Sequence, residues 1–302
     1  MTRPTRRRFL AIAACAPVAL ARPAAAAVTR WRGVALGAAA SITLAHPGAD
    51  RLIAAARAEI DRLEDVFSLH RPGSALARLN AEGTLAAPPF ELVECLALCD
   101  TVHHATGGAF DPSVQPLWAA HAEAWAQGAP PTAAALARAA AHVGWDGVGV
   151  AADRITLARP GMALTLNGIA QGFIADRVAR LLRAEGLTDV LIDTGEAVGL
   201  GRDPKGAAWQ AALPDGSRLP LRDTALATSA PLGTVFDPHG SEGHILDPRS
   251  GRPAPPVWRF VSISAPSAAL ADALSTAACL LDRTSLAAAL MALPGTRLAA
   301  SA

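Results

Sequence analysis

The chain has 302 residues, 51% of them hydrophobic, which is enough apolar material for one large or two modest units with a sizeable core. Its 27 Lys and Arg balance 26 Asp and Glu to a formal charge of +1, so nothing in the charge indicates nucleic acid or an anionic membrane surface as a partner.

The N-terminus reads as a targeting segment. Thr5-Arg6-Arg7-Arg8-Phe9-Leu10 matches a twin-arginine export signal, an apolar run follows to Ala21, and Ala24-Ala25-Ala26 offers small residues for cleavage. The expected division is a signal peptide over 1–26 and one catalytic unit over 27–302, working in the periplasm. The apolar run is too short for a permanent span, so no transmembrane anchor is predicted. Cys15 after Ile12-Ala13-Ala14 loosely resembles a lipobox, but a very short apolar region precedes it.

Trp31 to Leu44 reads as one or two strands around a glycine bend. Ala49 to Phe67 is an amphipathic helix, with Leu52, Ile53, Ala56, Ile60, Leu63 and Val66 at helical spacing. Phe67 to Asn80 reads as loop and turn. Leu92 to Thr106 is a helix closed by Gly107-Gly108. Thr106 to Trp118 is irregular and punctuated by proline, and Ala133 to Val143 is a helix. A hairpin is expected at Val148–Val150 and Arg154–Leu157, then a short strand at Ala163–Leu166 and a helix from Ile169 to Ala184 closed by Gly186. Strands follow at Val190–Asp193, Ala208–Leu213, Leu219–Leu221, Ala225–Ser229 and Val257–Ala265, before a helix over Ala271–Leu281. Hairpins mixed with helical pairs argue for an α+β fold. Cys95, Cys99 and Cys279 are an odd set for disulfides and read as buried apolar thiols. With His103 and His104 the first two have no known zinc spacing.

Four segments carry chemistry. In the last helix Asp272 and Thr276 are four apart, which puts a carboxylate and a hydroxyl on one face near the helix start. Such a pair suits a hard cation such as Mg²⁺, while the plainer reading makes Asp272 a cap and Thr276 a polar filler. Leu164 to Asp176, LTLNGIAQGFIAD, is strand, tight turn and helix. Asn167-Gly168 supplies the turn and Gly172 permits a close approach, yet the segment is neither a Walker loop nor a GxGxxG fingerprint. In TGGAFDPSVQPLW, Phe110 could lie on a flat ring and Asp111 could accept hydrogen bonds, or Asp111-Pro112 simply starts a turn. His244 precedes a second such turn at Asp247-Pro248.

Taken in order, GVALG, FSLHRPGSALARLN, TGGAFDP, NGIAQGFIAD, ATS, HILDPRSG and ADALSTA resemble the ApbE-type FAD:protein FMN transferases, in particular the NosX-like branch associated with nitrous oxide reductase maturation. The resemblance spans about Gly33 to Leu281. It implies a T-fold-like α+β architecture with mixed or antiparallel sheets and packed helices in one compact unit. It also implies Mg²⁺-dependent cleavage of FAD, with FMN passing to a Thr or Ser of a target flavoprotein and AMP leaving. A membrane flavoprotein of nitrous oxide reduction is one such target.

By the same resemblance, metal ligands fall on Asp272, Thr276 and a backbone carbonyl at Gly168. Flavin-binding positions fall on Leu36, His70, Ala109, Phe110, Asp111, Thr165, Gln171 and Ile245. Asp272 and His244 carry the catalytic roles, His244 as base toward the attacking hydroxyl. The chain departs from the family where His70 replaces a Tyr, Thr165 an Asp, Gln171 a Lys or Glu, and Ala227 to Ala230 (ATSA) the commoner TSG ending. Two alternatives stay in view: an FAD pyrophosphatase that uses water at the same metal site, and, because of the departures at His70, Thr165 and Gln171, a non-catalytic flavin-binding protein.

Overall fold

The structure, a computed structural model, describes residues 26–302 apart from Pro256. The twin-arginine motif and Cys15 lie outside the described residues. In chain order the elements are β1 (Val28–Ala35), β2 (Ala38–Ala45), α1 (Ala49–Phe67), α2 (Ala75–Glu82), β3 (Thr84–Ala86), α3 (Phe90–Ala105), α4 (Gln115–Ala126), α5 (Ala133–Ala140), β4 (Val148–Val150), β5 (Arg154–Leu157), α6 (Ala170–Ala184), β6 (Val190–Asp193), β7 (Ala197–Leu200), β8 (Trp209–Ala212), β9 (Arg218–Leu221), β10 (Thr224–Ser229), β11 (Val261–Ala265), α7 (Ala268–Ala278), α8 (Arg283–Ala292) and β12 (Arg297–Ser301).

Seven strands form one sheet in the order β1-β2-β6-β7-β10-β11-β12, antiparallel at every pairing. Helices α1, α6 and α7 pack on it, α6 and α7 against each other. Their apolar stripes close the main core: Leu52, Ala56 and Leu63 from α1, Ile174, Val178 and Leu182 from α6, Leu274 and Ala277 from α7. The β8–β9 hairpin seals a second cluster of Trp209, Leu221 and Leu226, and Trp209 donates its indole N–H to Leu200 O at 2.8 Å. A small sheet, β3-β5-β4, stands apart. The architecture is the α+β arrangement expected from the hairpin and helix pattern.

Several sequence expectations are corrected. The segment Phe67–Asn80 is not all loop, because Ser74 caps a helix there by accepting the Ala77 N–H at 3.0 Å. The proline-punctuated stretch to Trp118 contains a 3-10 turn at Pro112–Val114 and then α4, whose Pro116 sits in the first turn where its missing N–H costs nothing. Ala163–Leu166 is not a strand. Its backbone is satisfied by a side chain and a loop: Leu164 exchanges two bonds with the Asn80 amide, and Thr165 N donates to Pro112 O at 2.8 Å. The strand expected from Val257 begins only at Val261. Helix α7 begins at Ala268, so Asp272 lies one turn inside it rather than at its start. The short strands β3 and β7 and the closing α8–β12 unit carry too little periodicity to be read from sequence.

Candidate active site

The site is built where the start of α6 meets α7. Gly172 is the reason they meet: a Cβ there would run into the Ala268 carbonyl, so only glycine permits this approach. Asp176, one turn along α6, accepts the Ala268 and Ala269 amides at 2.8 and 3.0 Å and so satisfies the open N-terminus of α7. These contacts set the register of the two helices. Gly172 N donates to Asp272 Oδ2 at 3.3 Å, and a Cβ on Gly168 would lie 2.9 Å from Thr276 Oγ1. Two positions four apart on one segment thus face two positions four apart on the other. Asp272 and Thr276 share a face, and that face looks at the Asn167-Gly168 turn.

Two residues not singled out from the sequence join them. Ser229, at the end of β10, has its hydroxyl 2.7 Å from Ser275 Oγ and 3.5 Å from Thr276 Oγ1. Glu196, in the bend just before β7, is 7% exposed, and its Oε2 has no partner. Asp272 is 3% exposed. Burial, opposed by the Gly172 N–H and reinforced by the Asp176 charge, pushes Asp272 up to about 7. Burial and then the Asp272 charge push Glu196 up as well. No Lys or Arg pairs with either carboxylate among the described residues. The pattern TGEA gave no helical or metal spacing, so Glu196 was invisible until the sheet placed it beside α7.

Thr165, through Pro112, ties the Asn167-Gly168 turn to the Ala109–Asp111 loop. Asp111 Oδ1 accepts the Ser113 N–H at 2.8 Å and its hydroxyl at 2.7 Å, the turn-starting role. Ala109 and Phe110 are buried in the core, which removes the Phe110 ring as a surface for a flat ligand. Gln171 packs its side chain on Gly195 and accepts the Thr194 hydroxyl at its carbonyl. Ile245 packs against Cys279 at the end of α7, which holds the neighbouring His244 to the same region. His244 Nδ1 lies 2.9 Å from Thr234 O. A carbonyl only accepts, so Nδ1 carries the hydrogen and Nε2 keeps its lone pair. Burial lowers the His244 pKa, and this favours the neutral base. The loop is anchored by α4, whose Trp118 and His121 both pack on Phe236, with His121 Nε2 3.0 Å from Gly251 O. Asp247 fixes the next turn by accepting from Arg249 N at 2.9 Å.

A cavity of about 590 Å³ opens beside the centre, with His70, Asn80, Pro116, Trp118 and Asn167 in its wall. Leu36 stands farther off. It forms with Gly37 the two-residue turn between β1 and β2 at φ +47° and +80°, and its N–H donates to Glu64 Oε1 at 2.7 Å. The three Cys of the described residues are free and buried.

The fold is that of the flavin transferases. The structure superposes on the apo flavinyl transferase ApbE of Pseudomonas stutzeri with a TM-score of 0.76 at 27% identity, over 88% of this chain and 90% of that one. It matches the flavin transferase ApbE of Vibrio cholerae with a TM-score of 0.75 at 23% identity, over 88% and 91%. In sequence it is 33% identical to the FAD:protein FMN transferase of Treponema pallidum over 272 residues, 78% of this chain and 73% of that protein. The ApbE family model matches residues 36–298, and the chain belongs to the ApbE family.

Proposed function

We propose that the chain is an FAD:protein FMN transferase that moves the FMN half of FAD to a Thr or Ser hydroxyl of an exported flavoprotein and releases AMP. The observation that carries this is the face shared by Asp272 and Thr276 against the Asn167-Gly168 turn, whose Asn167 lines the wall of a cavity. The names of the relatives and the family support it.

The residues present fit Mg²⁺. Among the described residues no group of three or more His, Cys, Asp or Glu is arranged to hold a metal, which argues against a zinc-type cage. The centre instead offers hard oxygen donors, and its two buried carboxylates have no cationic side chain to balance them. Asp272, Thr276 and the Gly168 carbonyl would hold the ion, with the orphaned Glu196 oxygen adding negative charge behind them. Bound there, Mg²⁺ would neutralise the pyrophosphate of FAD and the departing AMP.

The chain's own groups do the rest. His244 Nε2 takes the proton from the acceptor hydroxyl as its oxygen bonds to the phosphorus of the FMN half. The bridging P–O bond then breaks toward AMP. Asp247 and α4 aim the His244 loop, and His70 and Trp118 offer flat rings in the cavity wall. The Ala109–Asp111 backbone, Thr165, Gln171 and Ile245 would complete the flavin contacts. The setting is the periplasm, reached by the twin-arginine signal over 1–26, and the NosX-like motifs point to a flavoprotein of nitrous oxide reduction as acceptor. Among the described residues no helix is long and apolar enough to cross a membrane.

Incubation of the protein with FAD, Mg²⁺ and a candidate acceptor, read by intact mass, is expected to add one FMN to the acceptor and release AMP in equal amount. Free FMN with AMP and no adduct would make the enzyme a pyrophosphatase instead.

A further inference from the structure

The β1 edge of the large sheet has a second cavity, of about 620 Å³, between the strand and α1. Four consecutive β1 residues, Trp31 to Val34, line it. Successive strand residues point to opposite faces, so a cavity that meets all four runs along the strand's open edge. The register says what that edge presents. Ala35 and Ala38 close the two-residue turn and exchange backbone bonds, so alternate residues back from it, Val34, Arg32 and Arg30, turn their N–H and C=O outward. The opposite wall is one stripe of α1, Ala54, Arg57, Ala58 and Asp61, and its two alanines keep that wall low.

We propose that this groove docks an extended, acidic segment of the acceptor protein as an added strand on β1. The charge favours an acid: Arg32 and Arg57 border the groove, and neither forms an ion pair or side-chain hydrogen bond among the described residues. Arg57 stands over the Trp31 ring at 5.9 Å, and Trp31 lies flat on Gly33, where a Cβ would collide with the indole. Val34, 61% exposed, offers an apolar contact on the same edge. A second copy of this chain is the poorer occupant, since edge-to-edge pairing of two β1 strands would set Arg30 and Arg32 against their own kind. The groove also leads toward the candidate site. Its far end holds Glu64 and Arg71, which are paired with each other, and His70, next to Arg71, lines the first cavity. That the docked segment delivers the flavin-accepting hydroxyl rests on the function proposed above. That the groove takes an acidic strand does not.

The test uses a fluorescein-labelled peptide, Glu-Val-Asp-Val-Thr-Gly, and a counterpart with Lys in place of Glu and Asp, read by anisotropy. The acidic peptide is expected to bind and the basic one not. Val34→Pro removes one outward N–H at an edge where proline is tolerated, and is expected to weaken binding about tenfold or more with FAD binding unchanged. Arg32→Glu with Arg57→Glu is expected to reverse the preference to the basic peptide, a gain that misfolding cannot mimic. Equal binding of both peptides, no binding of either, or insensitivity to both variants would overturn the proposal, as would a dimer of the wild type that Val34→Pro dissolves. Peptide binding without any flavin transfer would leave the groove standing and remove the transferase reading.

Discussion

Asp272 is held by a glycine rather than by a charge. Its carboxylate meets the Gly172 N–H only because α6 and α7 touch backbone to backbone at that point. Gly172→Ala is therefore expected to cost about 1–3 kcal/mol in chemical denaturation, the usual range for forced overpacking, and to disturb the metal face as well. Asp272→Asn is expected to lower Mg²⁺-dependent FAD cleavage on the order of a hundredfold or more, measured as AMP release. Glu196→Gln acts in the opposite direction on the metal-free protein. It replaces a carboxyl whose charged form burial and Asp272 both disfavour with a neutral amide, so about 1 kcal/mol of stabilisation, or roughly 2–4 °C in Tm, is expected, together with weaker Mg²⁺ binding. Of these residues the sequence pointed to Asp272, Thr276, Gly168 and Gly172, because i, i+4 spacing and a glycine turn are local signals. Glu196 immediately precedes β7 and Ser229 ends β10, strands whose neighbours are set by long-range pairing, so no local pattern could bring them to α7.

At the scale of elements, the order of the site depends on two docked pieces. The first is α7, whose open N-terminus is met by Asp176 across from α6. Asp176→Ala is expected to cost about 1–2 kcal/mol, as loss of a helix cap does, with a larger loss of Mg²⁺ affinity than of FAD affinity. The second is the His244 loop, pinned by α4 through Phe236 and Gly251. Burial lowers the His244 pKa, so the folded chain disfavours its protonation. The base is then available at pH values below the ordinary histidine range, and the acid limb of the rate profile is expected below about pH 6.5, disappearing in His244→Gln. The same shift makes a stability contribution that is complete above the unfolded value and declines as pH falls below it. The long amphipathic helices α1 and α6 were readable because 3.6-residue periodicity is strong over four or five turns. Helix α4 was not, because Pro112 and Pro116 break the pattern just where a capped 3-10 turn hands over to the helix.

At the scale of the molecule, the antiparallel sheet sets β10 and β11 against α7 and leaves β1 at the edge, with no further strand paired to it among the described residues. The order of seven short motifs points to the family although each is unremarkable alone, and two of them, the His70 segment and the Asn167-Gly168 turn, meet in the wall of one cavity. The strand order could not be read from the chain, since β2 pairs with β6 across more than a hundred residues. The central claim is that Asp272 and Thr276 together grip a divalent ion against the diphosphate of FAD. A crystal structure with FAD and Mn²⁺ in place of Mg²⁺, read by anomalous scattering, tests it most directly. The expected peak lies between the Asp272 carboxylate, the Thr276 hydroxyl and the FAD phosphates. A peak elsewhere, or FAD bound with no ion at that face, would contradict the account.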